Sequence, residues 1–546
     1  MTDTEINDVI IAKKNRRAAR FLILALSGIL TGLCLVISKI GFLEWLTLVP
    51  CALFLLKIDD TTEGGKIKLR ALYGYGVFFF MAFYIVNFHW FVNLYPLDFI
   101  DGMTKGADLC VVLVAWIGLS LLQAVQGGLV FVLAAITFRS TACRRFDFLK
   151  PLLLGALWAV YEWAQTFGWW GVPWGRLPLG QSEYLVGLQT ASWFGPYFVT
   201  FIIVTVNAYI ALALADKNKL KLSCILAAAL FVFQYGAGSV IWLSHKDTGE
   251  TVRVAAIQGN ISSHEKWDSS SSAKTNRIYE QYTRDAAEKG AKIVVWPETA
   301  LPYTLKEGSY YYRFVSNMAQ ENNVTILVGA FSRDDDGLQY NSILCFTPDG
   351  NVLDNVYSKR RLVPFGEFVP LRSLIETLVP PLADLVMSGE EIAHGEGAQL
   401  FELDEGTLGS LICFDSIYEE LTRESVNSGA QLICLSTNDS WFTDSAALYM
   451  HNAQAQLRAI ESGRYIVRSA NTGISTVINS RGEVIDELAP LVDGMIVEDV
   501  CVSSNKTLYT TIGNLFVYLS MIFIAVVIAL EVYFSVRKSE KSVRKS

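Results

Sequence analysis

The chain has 546 residues, of which 52% are hydrophobic and 18% are charged, with a net charge of -8 and a mean hydropathy of +0.34. This average is too apolar for one soluble enzyme and too polar for a pure membrane bundle, so it predicts a membrane part joined to a soluble part. The negative charge argues against a nucleic-acid partner. The nine cysteines and five histidines show no metal-binding or CxxC spacing, which argues against a metal site.

Eight apolar runs predict eight membrane spans, since a span needs about 20 mostly apolar residues. The first run has no small-residue cleavage site, so we interpret it as a retained span. Two of the runs are short and contain Glu44 and Glu162. The eight runs cover residues 20–38, 41–57, 71–95, 108–138, 152–167, 190–215, 221–243 and 508–535.

Basic residues alternate between the loops of this predicted bundle. The N-terminus, the loops after the second, fourth and sixth spans, and the C-terminal tail are rich in Lys and Arg, whereas the intervening loops hold one basic residue each. Because basic loops face the cytoplasm, both termini are predicted to be cytoplasmic and the segment after the seventh span to face outward.

Glu162 lies in the apolar run Trp158–Trp163. A carboxylate at this depth is costly and normally faces protein or a cavity. Two interpretations stay open: a structural hydrogen bond to a neighbouring helix, or contact with a lipid head group or with the soluble part.

From Thr251 onward, short β-branched runs alternate with helical stretches, which predicts one α/β domain. The predicted domains are therefore 1–243 (seven spans), 244–507 (the α/β domain) and 508–546 (the last span and tail). Residues 371–399 form a long irregular insertion with an apolar part from Leu371 to Met387. It is either a lipid-facing lid or a segment packed on its own domain. Strands are predicted at 251–257, 292–296, 324–330, 340–347, 351–358, 408–413, 431–436, 465–470 and 474–479, and helices at 271–289, 308–322, 416–427 and 447–462.

Three polar residues each follow a buried β-branched run: Glu298, Lys359 and Cys413. Together they could perform acyl transfer: the carboxylate takes the thiol proton, the thiolate attacks a carbonyl, and the ammonium stabilises the oxyanion. Alone, each has a simpler explanation. Lys359 could be a solvated surface charge, and a Cys in a strand is usually a small buried hydrophobe, as we expect for Cys345 and Cys434.

Cys413 differs from the other two strand cysteines because its strand stops there and a helix-like stretch begins. At such a turn, backbone N–H groups lower the pKa of a thiol and can form an oxyanion hole. A buried carboxylate after Trp296 and Pro297 would have a raised pKa, which suits Glu298 as a general base.

The order Glu298, Lys359, Cys413 resembles the triad of the nitrilase superfamily. Longer motifs resemble one membrane-bound family within it, the bacterial apolipoprotein N-acyltransferases, and the ten-residue block Arg361–Pro370 is the most specific. The other motifs are Gln258–Ile261, Lys266–Asp268, Asn438–Phe442, Arg458–Glu461 and Asn471–Gly473. The resemblance covers nearly the whole chain, including the eight spans.

This resemblance implies an αββα sandwich and a two-step transfer without a cofactor. Cys413 would take an acyl chain from a phospholipid as a thioester and pass it to the α-amine of the S-diacylglyceryl cysteine of an apolipoprotein. Glu298 would be the base, Lys359 would stabilise the tetrahedral intermediates, and Glu367 would orient Lys359 or shuttle a proton. Phe414 and Asp415 would support the site, and Trp267, Asn438 and Trp441 would line the substrate pocket. Glu162 remains a membrane-side candidate.

The implied setting is the bacterial inner membrane, with a monomeric enzyme whose catalytic domain faces outward. One departure matters: the family has Glu two residues after the nucleophile, whereas this chain has Asp415, shorter by about 1.5 Å. Two other functions stay open: a membrane-tethered amidase or hydrolase in which water resolves the thioester, and a non-catalytic lipid- or lipoprotein-binding protein.

Overall fold

The computed structural model describes residues 3–57, 68–97, 104–262, 266, 272–378 and 391–543. The chain divides into two compact units. One comprises Met1–His89, Leu113–Leu243 and Gly513–Ser546, and the other comprises Trp90–Val112 and Ser244–Ile512.

The first unit is helical, and all eight predicted apolar runs contain helices. Within the described residues, seven helices are long and apolar enough to span a membrane: Arg17–Val36, Ser38–Leu56, Leu69–Asn87, Lys105–Phe138, Pro196–Ala215, Lys217–Ser244 and Leu515–Phe534. The remaining predicted run, 152–167, corresponds to the helix Leu149–Ala164, whose 16 residues extend only about 24 Å. Most of its residues are nonetheless buried inside the unit.

Small residues bring the helices Arg17–Val36 and Leu69–Asn87 close together. A Cβ on Gly28 would lie 2.6 Å from the carbonyl oxygen of Phe79, and one on Gly32 would lie 2.9 Å from that of Phe83. Only glycine permits this approach, which is a common way to pack helices in membranes. The span Ser38–Leu56 is interrupted, because it consists of a 3-10 turn at Ser38–Leu43 and helices at Glu44–Thr47 and Val49–Leu56.

The second unit contains two six-stranded sheets. The first has the order β12-β1-β2-β3-β4-β5 and the second β11-β10-β9-β8-β7-β6. The strands are β1 Glu250–Gln258, β2 Ile293–Val295, β3 Thr325–Arg333, β4 Gln339–Phe346, β5 Tyr357–Ser358, β6 Leu400–Leu403, β7 Gly406–Ile412, β8 Leu432–Thr437, β9 Ile466–Ala470, β10 Thr476–Ile478, β11 Val484–Glu487 and β12 Gly494–Val502.

Each sheet has three parallel strands, β1–β2–β3 in the first and β7–β8–β9 in the second, and the remaining pairs are antiparallel. Buried side chains of both sheets form one core between them. Helices Ser272–Glu288 and Tyr310–Asn322 cover the first sheet, and Glu419–Ser428 and Ala446–Ser462 contact the second. This is the predicted αββα sandwich.

Some predicted boundaries are wrong. The predicted strand at 351–358 is only Tyr357–Ser358, and strands β6, β11 and β12 were not predicted. β11 is half-buried or exposed along its whole length, so it lacks the apolar alternation that signals a strand. The predicted lid begins with the helix Arg372–Leu378, and residues 379–387 lie outside the described residues.

Candidate active site

Glu298 lies at a sharp turn just after parallel strand β2. Trp296 is fully buried and stacks on Tyr279 with 4.6 Å between ring centroids, which anchors the turn. Thr299 then adopts a left-handed backbone with φ of 45°. Strand β3 passes directly beneath at Gly329, where a Cβ would lie 2.3 Å from the carbonyl oxygen of Pro297. These contacts fix the main chain of the turn that carries Glu298.

Lys359 is buried, with only 2% of its side chain exposed, so it is not a surface charge. Its Nζ lies 2.8 Å from Glu298 Oε1 and 2.9 Å from Glu367 Oε1. Burial acts to lower the pKa of Lys359, but the charges of Glu298 and Glu367 outweigh it and raise the pKa well above its usual value. The protonated form of the amine is therefore favoured between these two acidic side chains.

Other groups complete the hydrogen bonding of the two carboxylates. Asn341 Nδ2 donates to Glu298 Oε1 at 2.7 Å and to Glu367 Oε1 at 3.1 Å. The backbone N–H of Asn438 donates to Glu298 Oε2 at 2.8 Å, and that of Val363 donates to Glu367 Oε2 at 2.9 Å. Asn438 thus contacts the site through its main chain. Sequence reasoning missed Asn341, because an Asn within a strand carries no catalytic signal.

Cys413 lies where strand β7 ends and a 3-10 turn begins, and its φ of 48° is left-handed. For a residue with a side chain this conformation costs about 1–2 kcal/mol. Cys413 as a whole residue is half-buried, and its thiol interacts electrostatically with both Glu298 and Lys359. Burial, followed by the charge of Glu298, raises its pKa, whereas Lys359 and a hydrogen bond with Thr437 lower it. The lowered pKa predicted from the sequence is therefore wrong, because burial and Glu298 outweigh Lys359 and Thr437. A raised pKa means that the thiol needs a base before it can attack.

Asp415 connects the turn Cys413–Ile417 to strand β5 and the residues just after it, among them Lys359. Its Oδ1 accepts the backbone N–H groups of Arg360 at 3.2 Å and Arg361 at 2.7 Å. Its Oδ2 accepts the Tyr357 hydroxyl at 2.9 Å and the Ile412 backbone N–H at 3.1 Å. The shorter Asp side chain therefore has four donors here and acts as a brace between the two sheets.

The predicted aromatic residues have different surroundings. The half-buried Phe414 packs edge-on against Tyr418, with ring centroids 5.6 Å apart. Trp441 lies in the turn Ser440–Phe442, where the neighbouring Phe442 packs against Trp90 at 4.9 Å. Trp267 lies outside the described residues.

Lys266 is a second buried amine at the site. The sequence placed it in the motif Lys266–Asp268 but did not predict its contact with Glu298. Its Nζ donates to the backbone oxygen of Glu298 at 2.9 Å. Burial lowers its pKa from 10.5 to about 7, although the charges of Glu298 and Cys413 act in the opposite direction. The folded protein therefore releases this proton at a lower pH than the unfolded chain does.

This difference predicts a pH-dependent stability. Between pH 7 and 10.5 the unfolded chain holds the Lys266 proton and the folded chain does not, so stability should rise with pH. We expect a gain of about 2 kcal/mol from pH 7 to pH 9, which Lys266→Met should remove. Thermal unfolding of the detergent-solubilised chain at several pH values measures it. The exposed Lys289→Met is the matched control, and an unchanged slope in Lys266→Met would contradict the prediction.

Glu162 is buried in the helical unit, and both of its oxygens are occupied. Oε1 accepts the Leu177 backbone N–H at 3.0 Å, and Oε2 accepts the Thr200 hydroxyl. These contacts match the structural interpretation of this residue, since Thr200 belongs to the neighbouring helix Pro196–Ala215.

A second polar cluster borders the nucleophile. Ligand-type atoms of Cys413, Asp439 and His451 lie within 4.8 Å of one another. Arg468 Nη2, however, donates to Asp439 Oδ2 at 2.7 Å, so a cation already neutralises this carboxylate. The cluster is therefore poorly suited to a metal ion.

A buried Glu and Lys beside a half-buried Cys, on an αββα sandwich, define a domain of the nitrilase type. Residues 253–506 match the family model for carbon-nitrogen hydrolases. Residues 27–209 match a second model, the apolipoprotein N-acyltransferase N-terminal domain. The chain belongs to the apolipoprotein N-acyltransferase family and is a membrane protein.

Two relatives illustrate this membership. The apolipoprotein N-acyltransferase of Gloeobacter violaceus is 30% identical over 513 residues, which cover 93% of each chain. That of Geobacter metallireducens is 32% identical over 388 residues, covering 68% of this chain and 73% of the relative. Among solved structures, Saccharomyces cerevisiae Nit3 of the nitrilase superfamily aligns with a TM-score of 0.38 and 19% identity over 47% of this chain and 92% of its own.

Proposed function

We propose that this chain transfers a fatty acyl chain from a membrane phospholipid, through a thioester on Cys413, to the α-amine of the N-terminal S-diacylglyceryl cysteine of an apolipoprotein. The observation that carries the proposal is the buried network in which Lys359 bridges Glu298 and Glu367 beside the thiol. Family membership supports the choice of lipid and lipoprotein as substrates.

In the first half-reaction, Glu298 takes the proton of the Cys413 thiol, and the thiolate attacks the carbonyl carbon of the phospholipid ester. Two N–H groups of Lys359 Nζ donate to Glu298 and Glu367, and the third is assigned to the oxyanion. Glu298 then returns the proton to the departing lysophospholipid oxygen. A thioester remains on Cys413.

In the second half-reaction, the α-amine of the acceptor attacks the thioester carbonyl. Glu298 takes a proton from the amine as the C–N bond forms, and Lys359 again stabilises the oxyanion. The C–S bond then breaks, and Glu298 passes its proton to the released Cys413 thiolate, which restores both groups. Splitting the exchange into two steps lets one lipid site serve twice. Glu367, whose Oε2 is held by the Val363 backbone, orients Lys359.

We further propose that the chain is monomeric, lies in the bacterial inner membrane with both termini in the cytoplasm, and carries its catalytic domain on the outer side. The alternation of basic and non-basic loops supports this orientation. The substrate pocket is assigned to Asn438, Trp441 and Trp267, and the domain limits to 1–243, 244–507 and 508–546.

The test follows one labelled acyl chain through both half-reactions. Purified protein in phosphatidylethanolamine nanodiscs should acquire a label that neutral hydroxylamine releases. A diacylated lipopeptide should then remove the label as a hydroxylamine-resistant amide, whereas the same lipopeptide with an acetylated amine should not. Release of free fatty acid alone, at equal rates with both peptides, would instead identify a hydrolase. A protein that takes no label would contradict both enzyme functions.

A further inference from the structure

The imidazole of His451 contacts the turn Cys413–Ile417, which carries the nucleophile, although the chemistry proposed above does not use it. His451 lies on the helix Ala446–Ser462, and its side chain is 1% exposed. Its Nε2 lies 3.2 Å from the carbonyl oxygen of Cys413 and 3.0 Å from Ser416 Oγ. The imidazole therefore contacts the residue whose backbone is left-handed.

Asp439 determines the orientation of this imidazole. His451 Nδ1 lies 2.9 Å from Asp439 Oδ1, and Arg468 Nη2 donates to the other oxygen. Burial acts to raise the pKa of Asp439, but Arg468 and His451 lower it well below its usual value. Arg468 Nη2 also lies 3.1 Å from His451 Nδ1, so Asp439 and Arg468 together fix the orientation of the ring.

The other nitrogen also faces acceptors. The hydroxyl of Ser416 donates to the Cys413 carbonyl oxygen at 2.8 Å, so the Ser416 oxygen is left to accept. A carbonyl oxygen can only accept. Since Nε2 faces both of these oxygens, a proton on Nε2 satisfies both contacts. The imidazole and Ser416 together hold the carbonyl group of Cys413.

We propose that His451, oriented by Asp439 and Arg468, is a positioning residue that donates to the main-chain carbonyl of Cys413 and holds the nucleophile in its left-handed conformation. This inference rests on the proposed function only in taking Cys413 as the nucleophile. Without the donor, the Cys413 peptide is free to leave this conformation, and its thiol then loses its alignment with Glu298 and Lys359.

Three full-length variants test the proposal. His451→Asn keeps a polar group near Asp439 but is too short to reach the Cys413 carbonyl, whereas His451→Gln places an amide donor close to the position of Nε2. Asn452→Ala is the matched control, because Asn452 is the next residue on the same helix and accepts a hydrogen bond from Thr476 instead. All three are assayed in phosphatidylethanolamine nanodiscs for the single-turnover rate constant of acyl-enzyme formation.

We expect the rate constant to fall about 10- to 100-fold in His451→Asn, the range that corresponds to leaving a buried acceptor without its hydrogen bond. His451→Gln should recover to within about 3-fold of the unchanged protein, and Asn452→Ala should stay within about 2-fold. A purely structural role would lower the amplitude, which counts folded molecules, and leave the rate constant intact. That outcome, or equal rates in His451→Asn and His451→Gln, would overturn the proposal.

A second readout separates this inference from the proposed function. Alkylation of Cys413 by iodoacetamide, followed on its own peptide by mass spectrometry, needs no lipid substrate. The same order of rates should appear, with His451→Asn slowest. If the unchanged protein forms no acyl-enzyme, the proposed function fails while the alkylation rates still decide the role of His451. Equal alkylation rates in all variants would overturn that role.

Discussion

Cys413→Ala should lose acyl-enzyme formation completely, with a fall in transfer rate of at least about 10⁴-fold. The reason is chemical: without sulfur, no thioester can form, and the remaining groups can only promote a direct exchange between two lipids. The variant should remain folded, since Cys413 is only partly buried and Ala removes a single atom. The measurement is hydroxylamine-sensitive label from acyl-labelled phosphatidylethanolamine, with thermal unfolding as the check on folding.

The matched control for this experiment is Cys434→Ala, which makes the same chemical change in the middle of strand β8. Cys434 is fully buried among core side chains and lies away from the turn. Its variant should label at close to the normal rate. Hydroxylamine-sensitive label that persists in Cys413→Ala, or that disappears in Cys434→Ala, would refute the assignment of the nucleophile.

Lys359→Met should lose both activity and stability. Removing the oxyanion donor should reduce transfer by about 10³-fold. It also leaves Glu298 and Glu367 without their cation, although only 7% and 14% of their side chains are exposed. Breaking a buried ion pair in this way costs about 3–5 kcal/mol. Single-turnover labelling measures the first effect, and the free energy of unfolding measures the second.

A double variant separates these two effects. Glu367→Gln in the Lys359→Met background removes one of the two unpaired carboxylates, so it should restore a large part of the lost stability and none of the activity. Glu298 then keeps its bonds from Asn341 and Asn438. If Lys359→Met unfolds at the same temperature as the unchanged protein, the three groups do not form a charged network.

The positions of Glu298 and Cys413 could be predicted because each directly follows a parallel strand with a clear apolar run. Carboxyl ends of parallel strands lie at one edge of a sheet, and sequence patterns identify such strands well. Lys359 was placed at the end of a strand of eight residues, but the strand has only two. The predicted end of the strand was correct, because a change from apolar to charged residues marks it in the sequence. Nothing in the sequence marks where this strand begins, so its predicted length was wrong.

Asn341, Lys266 and His451 could not be predicted as site residues from local pattern. Asn341 belongs to an ordinary strand and His451 to an ordinary helix. All three reach the site only through tertiary packing, and His451 is 38 residues away from the carbonyl that it contacts. The role of Asp415 was likewise hidden. The sequence shows a shorter acid than the family pattern, but only the fold shows that its carboxylate faces backbone N–H groups.

The acid and the ammonium are carried by one sheet and the sulfur by the other, with the Asp415 carboxylate joining the two layers. Chemistry therefore requires both layers to be docked in register. A newly made chain is expected to be inactive until the second sheet has packed against the first. Mild denaturant should likewise abolish acyl transfer at concentrations that leave most helices folded. Separating the two sheets by a few ångströms would move the Glu298 carboxylate away from the Cys413 sulfur.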